Sequence, residues 1–328
     1  FLQNSWREVM DLSEVPFVYH DMADFKNKII YYESSRGCPF SCSYCLSSID
    51  KCLRFRKLEL VEKELQFFID EKVPQVKFVD RTFNCNHKHA IAIWKYIKEH
   101  DKGITNFHFE VAADLLNEEE LKLIESMRPG LIQLEIGVQS TNEQTIREIR
   151  RTMRFEEVAR IVQRINQGEN VHQHLDLIAG LPYEDMESFQ KSFDDVYRLH
   201  PEQLQLGFLK VLKGSYMESQ KERYGLVYKS RPPYEVLYTK WLSYEEMMQL
   251  KSVEEMVEVY YNSGQFSYCL RKLEEEYASP FVLYQGLGRY YENHELHLMS
   301  HSRITRYEIL LGFIREKHKE RESLYREL

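Results

Sequence analysis

Three cysteines, Cys38, Cys42 and Cys45, fall inside the stretch SRGCPFSCSYC from Ser35 to Cys45, with three and then two residues between them. Thiolates are soft ligands, and a single turn brings three from one short loop onto one metal centre. Gly37 and Pro39 favour such a turn. On the residues alone, three readings compete. Zinc sites ordinarily pair two C-x2-C knuckles, but here one gap is three residues, no second knuckle or ligand-spaced His pair follows, and Cys52 reaches a fourth ligand position only awkwardly. Inert buried thiols fit poorly, because Ser, Pro and Ser interleave the cysteines. An iron–sulfur cluster held by three thiolates leaves one iron without a protein ligand, open to a small molecule.

Elements must exist to hold that loop. With 328 residues and 43% hydrophobic content, the chain can bury a substantial core. A formal charge of −8, from 52 acidic and 44 basic residues, gives no field that would draw the whole molecule to phosphate backbones or anionic lipid; local basic grooves remain open. No apolar run approaches the roughly 20 residues of a membrane span, and no charged, then apolar, then small-residue succession marks a secretory signal, so the expected compartment is the cytosol. Six cysteines are too few for a disulfide scaffold. The chain begins at Phe1 rather than Met, and SEVPFVYHDMADF reads as an irregular lead-in to a domain, with an upstream portion of the natural protein expected.

Apolar runs with strand character occur at 28–34, 75–80, 106–112, 131–139, 171–180 and 204–211, directly after which or between which helical periodicity covers 57–71, 87–100, 117–127, 142–149 with 154–167, and 185–199. This alternation predicts βα units and a parallel sheet. Asn117 with Glu120 forms a capping pair, and Asn142 caps its own helix. From about 212 the pattern becomes loop-like, and 243–328 is helical with no further strand alternation. The expected domains are a linker at 1–27, an α/β domain at 28–211 and a mainly helical C-terminal domain at 212–328.

The C-x3-C-x-aromatic-C pattern of Cys38, Cys42, Tyr44 and Cys45, placed just after the first strand, resembles the radical S-adenosylmethionine (SAM) superfamily. That resemblance implies a partial (β/α)6 TIM-like barrel, a 4Fe–4S cluster on the three cysteines, SAM chelated at the open iron, and a 5′-deoxyadenosyl radical. Glu110 in FHFEVAAD, Gln139 and Ser140 in LEIGVQS, Arg151, and Asp176 in HLDLIAGLPYED resemble SAM-binding positions of the coproporphyrinogen-dehydrogenase-like branch. A guanidinium can fork onto the methionine carboxylate and strand-end carboxylates can accept from ribose hydroxyls or the ammonium. The chain departs from that pattern after the second strand, where FVDRTFN replaces a Gly-rich segment. An acid there resembles cobalamin-dependent radical SAM proteins; Asp80 either accepts from the SAM ammonium or pairs with Arg81. PFVYHD resembles the linker that leaves an upstream cobalamin-binding domain, and the helical C-terminal region resembles a domain found attached to such proteins.

Three function classes follow: a radical SAM enzyme using cobalamin from an upstream domain, with methyl transfer among its reactions; a cobalamin-independent radical SAM oxidoreductase or methylthiotransferase-like enzyme; and a non-catalytic metal- or nucleic-acid-binding module. The resemblance also implies a one-electron donor such as flavodoxin or ferredoxin; the chain is expected to be a monomer, and its substrate is not legible. Elsewhere the bland reading holds. Cys52, Cys85 and Cys269 are lone thiols, and His172 and His174 either face the barrel interior or are satisfied histidines. RFRK at 54–57 either neutralises charge near the cluster or starts a solvated helix, and the tyrosines of YYNSGQFSY either line a cleft or pack.

Overall fold

This computed structural model describes residues 9–26, 28–49, 51–321 and 325. Of the expected linker 1–27, residues 1–8 and 27 lie outside the described residues; the rest holds two single turns, Leu12–Glu14 and Ala23–Phe25. Six strands follow: β1 (Ile30–Tyr32), β2 (Gln75–Phe78), β3 (Asn106–Val111), β4 (Ile132–Gln139), β5 (His172–Ala179) and β6 (Gln203–Phe208). They lie side by side in chain order in one sheet. The register is parallel, with Tyr31 opposite Lys77, Lys77 opposite His108 and Glu110 opposite Glu135. Parallel neighbours require crossovers, and helices supply them: α1 (Leu58–Asp70), α2 (His87–His100), α3 (Glu118–Glu125), α4 (Glu143–Glu148) with α5 (Phe155–Asn166), and α6 (Met186–Tyr197). The fold is thus the expected α/β partial (β/α)6 barrel with a helical C-terminal region. Asn117 and Glu120 form a reciprocal capping box on α3, and Asn142 accepts from the backbone of Gln144 and Thr145.

Two hairpin-like pairs escaped the sequence reading: Ser35–Arg36 with Arg54–Phe55, and Val227–Tyr228 with Val236–Tyr238. The second corrects the reading of the stretch from 212 to 242 as loop-like. Strands of two or three residues are too short to show a period.

The chain forms two compact units, the first comprising residues up to Val138 with 146–174 and 212–219, the second 139–145, 175–211 and 220–328. In the first, alternate strand residues face opposite ways. Val76 and Phe78, Phe107, Phe109 and Val111, and Leu134 and Ile136 are buried. Phe83 and Trp94 pack on Phe109, with ring centroids 4.3 and 5.9 Å away. The opposite face is polar: Lys77, His108, Glu110, Gln133 and Glu135. Within RFRK, Arg56 is buried, whereas Lys57 is exposed at the start of α1 as the solvated reading has it. The Arg56 Nε donates to Glu64 on α1 at 2.8 Å, and its Nη1 donates to the carbonyls of Leu12 and Val15 at 2.7 and 2.9 Å.

In the second unit, α7 (Tyr244–Met256), α8 (Ser267–Glu274), α9 (Pro280–Asn293) and α10 (Arg303–Lys317) build the C-terminal region. Phe193 and Tyr197 of α6 pack on Phe281 and Tyr284 of α9, and the Phe281 N–H donates to Asp194 at 2.9 Å. Tyr260 is buried against Tyr291, Tyr261 donates to the Pro201 carbonyl, and Tyr268 is exposed, so YYNSGQFSY is chiefly packing. Asn262 holds β6 by both ends of its amide: Oδ1 accepts from Leu204 N at 2.9 Å and Nδ2 donates to Leu204 O at 3.0 Å.

On the polar face, Lys77 Nζ and His108 Nε2 each lie 2.9 Å from Glu135 Oε2. Burial alone would raise the Glu135 pKa, but hydrogen bonds from His108 and Lys77 outweigh it and hold the carboxyl down at about 2. A depressed acid stabilises the fold above its ordinary pKa and loses that contribution as pH falls towards its folded value. Between pH 7 and pH 3 the loss from Glu135 should be about 2 kcal/mol. Urea unfolding of the wild type and Glu135→Gln at both pH values checks this: the variant should lose less stability on acidification by about that amount, and an equal loss would refute the assignment.

Candidate functional site

The cysteine loop leaves β1 through Ser34 and Ser35. Asp80, two residues beyond β2, has no exposed surface. Its Oδ2 accepts from Ser34 N at 3.0 Å, and its Oδ1 accepts from the hydroxyls of Ser34 and Ser35 at 2.7 and 2.6 Å. Arg81 is exposed, so the carboxylate is spent on the two serines rather than on that neighbour. Burial raises the Asp80 pKa to about 6, against the pull of the serine hydrogen bonds. The Ser34 hydroxyl also lies 3.0 Å from His89 Nε2, and burial lowers the His89 pKa to about 4.

Next comes Gly37, at φ +96°, where a Cβ would sit 2.6 Å from the Cys52 carbonyl oxygen; only glycine fits. Cys38 and Cys42 are buried and Cys45 is half-buried, all with free thiols. Cys38 Sγ lies 3.8 Å from the Thr82 hydroxyl. The loop backbone is tied between Cys42 and Cys45: Ser43 N donates to Ile149 O at 2.9 Å, and Ser43 O accepts from Met217 N at 2.8 Å.

Arg151 is the basic group at this loop. Its Nη1 lies 3.9 Å from Cys42 Sγ and its Nη2 donates to the carbonyl of Gly137 on β4. Its Nε is buried with no hydrogen-bond partner among the described residues. Burial raises the Cys42 pKa and the Arg151 charge opposes that rise. Tyr44 lies against both Cys42 and Arg151, and burial raises its phenol pKa. Glu110 is half-buried on the polar face of β3. The structure therefore gathers Cys38, Cys42, Cys45, Tyr44 and Arg151 around one loop and sets Asp80 behind it as an anchor.

The remaining expected residues belong to the second unit. Gln139 ends β4 with φ +74°, a left-handed conformation costly for a residue with a Cβ, and its buried Oε1 has no partner among the described residues. The Ser140 hydroxyl is engaged: it donates to Glu184 Oε1 at 2.6 Å and accepts from Asn142 N at 3.0 Å. Asp176 is half-buried on β5.

Three groups were missed by sequence reasoning. Asn84, fully buried, pairs with the backbone of Ala112 through both ends of its amide, at 2.9 and 3.0 Å, and so fixes the end of β3. Glu184, fully buried with its pKa raised by burial to about 7, accepts from Ser140 and Ser192. Lys77, His108 and Glu135 form the third. Only that trio left a signal, as charged residues at alternate positions of apolar strands. His174 is buried on β5.

A radical SAM cluster asks each thiolate to reach a different iron, a requirement distinct from gripping one ion. Among the described residues no group of three His, Cys, Asp or Glu side chains could hold a single metal ion. The donor set fits a cluster: three free thiols in one loop, a cation at 3.9 Å from one of them, and no disulfide. Cys52 is exposed, Cys85 half-buried and Cys269 buried on α8. No helix among the described residues is long and apolar enough to cross a membrane.

Residues 32–196 match the radical SAM superfamily, and 222–328 match a family described as protein of unknown function (DUF4080). The first match covers half of the chain, and the chain belongs to the radical SAM superfamily. It is 34% identical over 100 residues to an uncharacterised methyltransferase of Pyrococcus horikoshii, covering 30% of this chain and 21% of that relative. The radical SAM methyltransferase TsrM of Kitasatospora setae, solved with cobalamin and a 4Fe–4S cluster, aligns at TM-score 0.53 and 16% identity over 66% of this chain and 44% of its own. OxsB, a cobalamin-dependent SAM radical enzyme solved with aqua-cobalamin and SAM, aligns at TM-score 0.55 and 14% identity, over 88% of this chain and 50% of its own. At these identities the likeness is one of fold, and the chain spans half or less of each of these relatives.

Asp80→Ala would leave Ser34 N and two hydroxyls without their buried acceptor, at about 1–3 kcal/mol for each unsatisfied group. Anaerobic reconstitution should then give clearly lower iron per chain than wild type, with a lower melting temperature. Full iron content in Asp80→Ala would show that the loop does not depend on this anchor.

Proposed function

We propose that this chain is the catalytic core of a radical SAM enzyme, with a 4Fe–4S cluster held by Cys38, Cys42 and Cys45 and SAM held by Glu110, Gln139, Arg151 and Asp176. Together the cluster and SAM supply reductive cleavage of the sulfonium, in which one electron from an external donor yields methionine and a 5′-deoxyadenosyl radical. The observation that carries the reading is the Arg151 guanidinium beside Cys42 with its Nε unpartnered among the described residues. Nη1 and Nη2 face sulfur and backbone, and the Nε–H is available to a carboxylate. Tyr44 lies beside the guanidinium, Asp80 anchors the start of the loop, and the Ser140 hydroxyl is engaged by Glu184 and the Asn142 N–H. Gln139 offers an amide from a strained backbone position that is worth its cost if a ligand uses it.

Methyl transfer with cobalamin held by a domain preceding residue 28, joined through the PFVYHD segment, is the reaction class we assign to the full-length protein. The fold likeness to TsrM and OxsB and the 34% identity to a protein named as a methyltransferase support it. The domain reading is 1–27 linker, 28–211 barrel and 212–328 helical domain.

Reconstituted wild type should bind one oxygen-sensitive cluster, unaffected by Cys52→Ser, Cys85→Ser or Cys269→Ser and lost with Cys38→Ser, Cys42→Ser or Cys45→Ser. Arg151→Ala should keep its iron and bind SAM roughly 10- to 150-fold more weakly, the worth of a charge-assisted hydrogen bond. Calorimetric titration and chromatography of SAM-derived products, with and without cobalamin for the longer protein, provide the readouts. Iron-replete, reduced, SAM-bound protein that yields no 5′-deoxyadenosine would overturn the radical reading, and products indifferent to cobalamin would overturn the methyl-transfer reading.

A further inference from the structure

Beside the cysteine loop, wholly within the first unit, lies a cavity of about 370 Å³ lined by Ser41, Ile49, Lys51, Arg150, Ser215 and Tyr216, among others. Its charged lining residues are both cations. Lys51 donates to the Ser41 hydroxyl at 2.8 Å, and the Arg150 guanidinium lies 3.5 Å from the Tyr216 ring centroid. Both cations are exposed, and among the described residues neither pairs with a carboxylate, in a chain whose net charge is −8. Exposed apolar side chains adjoin them on the same loop: Leu46, 42% exposed, and Ile49, 63% exposed. Apolar contacts with cations at the rim suit recognition of an acidic protein surface, where charge steers the encounter and buried apolar area holds it.

The position decides which acidic protein. Ser41 lines the cavity and is bonded to Cys42, and Leu46 is bonded to Cys45, so a partner seated here rests on the segment that carries the thiols. We infer that this cavity is the docking place of an acidic one-electron donor protein of the flavodoxin or ferredoxin kind. The inference rests on the cluster reading above. In the step it serves, the donor's reduced cofactor gives up one electron, the cluster gains it, and the donor leaves oxidised by one electron; no bond forms or breaks between the two proteins.

The test uses reconstituted protein, reduced flavodoxin as the probe, and stopped-flow bleaching of the cluster absorbance. Lys51→Glu should retain wild-type iron and SAM affinity, and its reduction by flavodoxin should be about tenfold slower at low salt. Its reduction by dithionite, a small reductant needing no docking face, should be unchanged. Lys272→Glu, an exposed lysine in the second unit, supplies the same change in net charge and should behave as wild type. Raising the salt should slow wild type towards the Lys51→Glu rate. Binding of oxidised flavodoxin, followed by calorimetry, should weaken in parallel. Equal rates for Lys51→Glu and Lys272→Glu would overturn the docking inference while leaving the cluster reading intact; absence of iron from wild type would remove the cluster reading itself. A wild-type dimer that Lys51→Glu dissociates would instead make this face a contact between copies and overturn the inference.

Discussion

A carboxylate with no exposed surface holds the start of the cysteine loop, and the rest of the site is arranged around that fact. Asp80 gives both oxygens to the backbone and hydroxyls of Ser34 and Ser35, where β1 ends. Ionised acids are costly to bury, and three donors are what make this one tolerable. Once β1 is fastened to the segment after β2, Gly37 turns the chain back against Cys52, and the thiols of Cys38 and Cys42 enter the protein. Arg151 closes the arrangement from β4 by gripping Gly137 O and facing the Cys42 sulfur. The loop is thereby fastened to the ends of β1 and β4.

The strands and helices were readable because their periods differ and because parallel strands carry long apolar faces. The cysteine spacing was readable because it lies within one loop. Asp80 shows where reading stops. As a residue type after a strand it suited an ammonium acceptor or an ion pair with Arg81, and nothing local reveals that two serines forty-five residues earlier take both oxygens. Arg56 is similar: RFRK looks solvated, yet Glu64, nearly two turns along α1, meets one edge of it and two carbonyls of the lead-in meet the other. Ser140 was placed with the ligand-binding residues by its neighbour Gln139, but its hydroxyl is committed to Glu184. In each case the deciding partner is remote in sequence, and single-chain patterning carries no information about it.

The two faces of the sheet divide the work. Phe78, Phe109 and their neighbours Phe83 and Trp94 form a dry aromatic layer, whose packing supplies stability. The other face keeps Lys77, His108 and Glu135 as a closed charge group with Glu110 directly beside Glu135 in the register. Two facing carboxylates would repel. Lys77 and His108 offset the charge of Glu135, so the facing pair is not two bare carboxylates.

Strand β6 ends the sheet order, so among the described residues its outer backbone has no strand neighbour. Such an edge is a template on which other chains can add as further strands, and long exposed edges lead to aggregation. Asn262, delivered from beyond α7, offers Leu204 a donor and an acceptor at the spacing a neighbouring peptide would use. The helical C-terminal region therefore acts as a guard for the barrel's last strand. A chain cut before residue 243 would carry that edge bare, and its failure would show as insolubility before it showed as lost chemistry.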